Sequence, residues 1–244
     1  MEAVTTREDW MRRLGPLYGG AVALVHSTPW RWPDSLTRNE ARTPFWVLAV
    51  GAPIGVVAWL TAMLLRSISL PAPLAALLGL AVLTFASAAI VERGVAERID
   101  GTQATAPSVL TILVLVFGTL LRAVAIIWLP PTKWLGVFLA TALVGRWTAV
   151  FLQSLGDPII DDDAPRSLVA TPAPAWLMGA LSISVAVVVG FALGKVGILA
   201  LVLAAAAAFA LGLDAQRRDR GLTSAVVATA AAIAELVLLL AATI

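Results

Sequence analysis

From Phe45 onward the chain divides into seven apolar stretches: Phe45–Leu65, Leu74–Val91, Pro107–Leu129, Trp134–Leu152, Trp176–Leu193, Gly197–Leu213 and Leu222–Ile244. About 20 apolar residues in a helix cross a bilayer core of about 30 Å, so stretches of this length constrain the fold more than any motif does. In lipid every backbone N–H and C=O has to be satisfied within the structure, which leaves only helices or a closed barrel. The alternating pattern of barrel strands is absent. The expected fold is therefore all-α, a polytopic integral membrane bundle of about seven transmembrane helices.

Composition supports this and excludes other classes. Apolar residues make up 60% and charged residues 13% of the 244 residues, with a mean hydropathy of +0.92, whereas about a quarter of a soluble domain is charged. The chain has no cysteine, which rules out disulfides, iron–sulfur clusters and zinc–thiolate sites. Its one histidine, His26, argues against a histidine-based metal centre. The pI of about 9.7 accompanies a net charge of only +2, and in a membrane protein such a bias reports topology rather than nucleic-acid binding.

Residues 1–43 form a cytoplasmic or interfacial segment ahead of a single transmembrane domain, 44–244. The apolar run Leu14–Val25 is short for a crossing and lacks a small-residue cleavage site, so it reads as an interfacial or re-entrant helix. Trp10, Trp30 and Trp32 would anchor it, with His26 at the interface. Placing the N-terminus in the cytoplasm puts twelve Lys and Arg residues on that side and leaves only Arg66, Lys133 and Lys195 opposite, which is the positive-inside pattern. All acidic residues except Glu235 fall on the same inner side, so the working face is expected there.

The strip Ala88 to Gly101 packs Glu92, Arg93, Glu97, Arg98 and Asp100 behind an apolar run. Glu97 and Asp100, three apart, share one helix face and are placed to hold a divalent cation. The same spacing allows a plainer reading, in which Arg93 and Glu97 at i and i+4 pair on a solvated helix end. Arg122, Arg146 and Glu235 lie inside apolar runs, where a charge costs about 2.5–3.5 kcal/mol and usually faces a partner or a cavity. Glu235 would neutralise one arginine, while Arg146 is a candidate for binding a substrate phosphate. Asp161-Asp162-Asp163 is a weaker metal candidate, and Arg217, Arg218 and Arg220 a basic cluster on the same side.

In order along the chain, these motifs resemble the cobalamin synthase family, the adenosylcobinamide-GDP ribazoletransferases. Its members carry Gly-Gly-x-His-x-Asp-Gly-x-Ala-Asp-x-x-Asp-Gly after an apolar helix. Here Gly94, Ala96, Asp100 and Gly101 coincide with that strip and Glu97 replaces an Asp, while the His and the first Asp fall on Val91 and Arg93. Thr28-Pro29, Gly145-Arg146-Trp147 and Gly221-Leu222-Thr223, with the later Glu235-Leu236, resemble further family elements.

The resemblance implies a membrane-bound transferase of the inner membrane, with its site facing the cytoplasm. Its substrates would be adenosylcobinamide-GDP and α-ribazole or its 5′-phosphate, with release of GMP and no nucleic-acid partner. It implies Mg2+ held by Glu97 and Asp100 as catalytic residues, and substrate contacts from Arg146, Gly94, Gly101, Thr223 and Glu235. Two alternatives stay open: a scaffold that kept the fold and lost the reaction, and a small transporter using Arg146 and Glu235.

Overall fold

The computed structural model describes residues 7–30, 43–156, 158–159, 167–218 and 221–244. Among them are ten α-helices: α1 (Arg7–Leu14), α2 (Tyr18–Ser27), α3 (Pro44–Ala49), α4 (Gly51–Ser67), α5 (Ala72–Ala86), α6 (Ile90–Asp100), α7 (Val109–Ile127), α8 (Trp134–Leu155), α9 (Ala175–Arg218) and α10 (Ser224–Ala241). Beyond one isolated bridge between Pro158 and Leu222, no extended pairing occurs among the described residues. The all-helical expectation is met, and the chain is a multi-pass membrane protein.

By length and apolarity five helical runs qualify as crossings, or six when α5 and α6 count as one bent crossing. The expected number was seven, and this count takes the fifth and sixth expected spans as the one helical run α9. That run is not straight. Gly194 adopts φ 62 and ψ −145, a conformation open to glycine, and a Cβ on Gly197 would stand 2.8 Å from the carbonyl oxygen of Val189. Residues eight apart in a straight helix are about 12 Å apart along its axis, so the chain turns back here and its two arms pack together.

Helix α8 is the centre of the bundle, flanked by α4, α9 and α10. Its small residues Ala140, Ala142, Gly145 and Ala149 are buried and let neighbouring backbones come close, the packing available where lipid competes for every apolar contact. Helix α7 is peripheral, with Phe117, Leu120 and Val124 exposed toward lipid.

At the N-terminus α2 packs on α3, and Gly19 and Gly20 make room for the Trp46 ring. His26 is buried within the protein, at 3% exposure, and Trp10 is buried too, whereas Trp30 lies exposed. Trp32, Arg220 and the Asp161–Asp163 run lie outside the described residues.

The break between α5 and α6 shapes the site. The two helices are bent by 69°, and Ala88 and Ala89, with φ of 55 and 50, occupy the left-handed region that costs an L-residue about 1–2 kcal/mol. The turn sends α6 away from the line of α5 and lays it against α10. Gly94 is the contact point, since a Cβ there would collide with the Ala228 methyl.

Candidate functional site

Helix α6 enters the bundle with its apolar, N-terminal end and leaves with its charged end. Ile90, Val91 and Gly94 are buried, which sets Glu92 at the junction of α6, α7 and α10. There Arg122 of α7 takes two acids at once: Nη1 lies 2.8 Å from Glu92 Oε1 and Nη2 3.4 Å from Glu235 Oε2 of α10. Nη2 also donates to the Ala232 carbonyl at 3.4 Å. The guanidinium thus gives each of the two buried carboxylates an opposite charge, as a low-dielectric interior demands of buried acids. Gly145 of α8 completes it, because a side chain there would run into the Glu235 carboxylate.

Arg146 is placed differently. It is buried at 3% exposure, and its Nη atoms donate to Ala142 O and Ser87 Oγ, each at 3.4 Å. No carboxylate lies within ion-pair distance of it among the described residues. Gly51 of α4 leaves space for its stem. Between Ser87, Glu92, Arg122, Thr141 and Glu235 is a small polar cavity of about 10 Å³, room for a water molecule but not a phosphate. Thr141 Oγ1, Arg122 Nε and Arg146 Nε are buried with no hydrogen-bond partner among the described residues.

Toward the other end of α6 the charges form a separate chain. Arg98 pairs with Asp214 at 3.1 Å, and Arg218 pairs with the same carboxylate at 2.8 Å. Glu97 lies 3.9 Å from Arg93 Nε, with both side chains partly exposed. Asp100 accepts the Ser108 N–H at 3.0 Å, and hydrogen bonds from Ser108 hold its carboxyl below the ordinary carboxylate range.

The expected site residues therefore divide. Glu97 and Asp100 share the outer part of α6, Glu235 joins the buried cluster, and Arg146 sits beside that cluster. Gly94 serves the α6–α10 contact, Gly101 ends α6 with φ 85, and the Thr223 hydroxyl caps α10 by accepting from the Val226 N–H. Reasoning from the sequence left Glu92 in the outer strip and missed Thr141. The available signal was the rule that intramembrane charges seek partners: one acid and two arginines within the spans call for a second acid at the membrane end of a neighbouring strip.

Fold and site together define a helical membrane protein with a cluster of paired charges buried where α6, α7 and α10 meet, beside α8. The chain belongs to the cobalamin-5-phosphate synthase family, whose model matches residues 20–243, from α2 through the end of α10. Membership places the chain among the enzymes of cobalamin synthesis. No curated protein and no solved structure matches it.

Proposed function

We propose that this chain transfers the adenosylcobinamide-phosphate moiety of adenosylcobinamide-GDP to α-ribazole or its 5′-phosphate, at the inner face of the cell membrane with the N-terminus in the cytoplasm. The observation that carries the reading is the family match along nearly the whole chain. In the reaction a ribazole hydroxyl oxygen forms a bond to the phosphorus nearest cobinamide. The bond from that phosphorus to the bridging oxygen breaks, and GMP leaves with the electron pair while the hydroxyl proton passes to a base.

Glu97 and Asp100 are the residues that would hold Mg2+. They offer hard oxygen donors one helical turn apart, partly exposed in the first case and with one oxygen engaged by Ser108 in the second. No three His, Cys, Asp or Glu side chains converge on a metal position among the described residues. Two carboxylates would suffice for an ion that draws its remaining ligands from phosphate and water, as magnesium commonly does. Bound there, the ion would neutralise charge on the diphosphate and its leaving group. The chain's own contribution is to set these two carboxylates on a rigid helix, with Arg93, Arg98 and Arg218 nearby to draw in a polyanion.

A second reading, a family member that keeps the fold without the reaction, is favoured by one observation: Arg93 places a cation 3.9 Å from Glu97. The deciding experiment is GMP release from adenosylcobinamide-GDP and α-ribazole by the purified full chain, with and without Mg2+. Metal-dependent release that falls at least about a hundredfold in Glu97→Gln and Asp100→Asn, the scale expected for lost charge stabilisation, supports the transfer. Absence of release under all conditions supports the second reading.

A further inference from the structure

Arg122 serves two acids with one charge. Glu92 and Glu235 both pair with it, which formally leaves one negative charge over. On α8, Arg146 is buried at 3% exposure, and among the described residues its Nη atoms donate only to Ala142 O and Ser87 Oγ, each at 3.4 Å. A surplus acid and an arginine with no acid at ion-pair distance are each costly in a low-dielectric interior. A polar bridge between them would lower both costs.

The polar cavity of about 10 Å³ lies where such a bridge has to run. Glu92, Arg122 and Glu235 line it, and so does Ser87, the hydroxyl to which Arg146 donates. Thr141 lines it as well. This threonine is 1% exposed, and its Oγ1 has no hydrogen-bond partner among the described residues. It stands one helical turn from Gly145, over which the Glu235 carboxylate lies. The volume admits one water, and a buried water takes about two to four polar partners, which this wall supplies. Neither kind of ion suits the space. A cation would meet Arg122, whose Nε is also buried and unpartnered among the described residues, and an anion would meet two carboxylates.

We propose that this cavity is the binding site of a single water molecule, which accepts from the hydroxyls of Ser87 and Thr141 and donates to the carboxylates of Glu92 and Glu235. Through Ser87 the water ties Arg146 to Glu235, so that two acids and two arginines from four helices form one compensated network. The assignment is independent of the transfer reading, since it concerns the charges that hold the fold rather than turnover.

The test begins with the sign of one substitution in the full chain. Thr141→Val keeps the side-chain shape and removes the hydroxyl. If that hydroxyl bonds a water, its loss raises the unfolding equilibrium constant about tenfold in detergent titrations; if it bonds nothing, removing a buried orphan lowers the constant. Thr148 is the control, because it too is fully buried with an unpartnered hydroxyl among the described residues but does not line this cavity. Thr148→Val should therefore leave the constant unchanged or lower it. The water itself is read by infrared spectroscopy of the chain in lipid nanodiscs, as an internal O–H stretching band that shifts when the solvent is exchanged for water carrying the heavy oxygen isotope. That band should be present in the wild type and in Thr148→Val and lost in Ser87→Ala/Thr141→Val, which removes both hydroxyls. Arg146→Met should raise the unfolding constant about tenfold less in this double variant than in the wild type, because the bridge is already gone. Stabilisation or no change in Thr141→Val, an isotope-sensitive band equal in the wild type and the double variant, or an equal effect of Arg146→Met in both chains would overturn the proposal. GMP release is measured separately, so failure of the water bridge and failure of the transfer reading are distinguished.

Discussion

Arg122 donates to Glu92 and Glu235 together, so removing it strands two acids rather than one. Breaking a buried ion pair by deleting one partner costs about 3–5 kcal/mol. Arg122→Met should lower stability by about that amount in detergent unfolding titrations, and adding Glu92→Gln and Glu235→Gln to the same chain should restore most of the loss. A triple variant no better than Arg122→Met would show that the three side chains do not act as one coupled unit. In the sequence, Glu235 and the two arginines were legible as intramembrane charges seeking partners. Which arginine Glu235 meets was not, because α7 and α8 both carry one and only packing decides between them. Glu92 was harder still: it reads as the first member of a surface strip, and the 69° bend is what turns it inward.

The bend itself is an element-scale feature with a residue-scale cost. Ala88 and Ala89 hold left-handed φ values that glycine adopts at no steric penalty. Relief of about 1–2 kcal/mol, less the about 0.5–1 kcal/mol that glycine loses in chain entropy, predicts that Ala89→Gly stabilises the protein by roughly 0.5–1 kcal/mol. Thermal melting of the purified variant checks this, and an unchanged or lowered midpoint would contradict it. The positions of the apolar helices could be read from the sequence because lipid forces a long uncharged run. The break between α5 and α6 carries no such mark, since two alanines are ordinary helix formers and it is tertiary packing, with Gly94 against Ala228, that holds α6 off the axis of α5.

For the molecule as a whole, the charge asymmetry of the loops fixes an expected orientation. Thr102 and Thr132 are exposed beyond opposite ends of α7, and the chain has no cysteine of its own. In intact cells a membrane-impermeant maleimide should label Thr132→Cys, and should label Thr102→Cys only after permeabilisation; the reverse pattern would invert the proposed topology. Class and architecture were legible at this scale from hydropathy alone. The way α9 doubles back was not, because nothing in Gly194-Lys195-Val196 distinguishes a sharp reversal from a short loop until Gly197 is seen against Val189. That reversal bears on how the protein is made. With one residue between its arms, residues 175–218 are expected to enter the bilayer as a single paired unit with Lys195 at its tip.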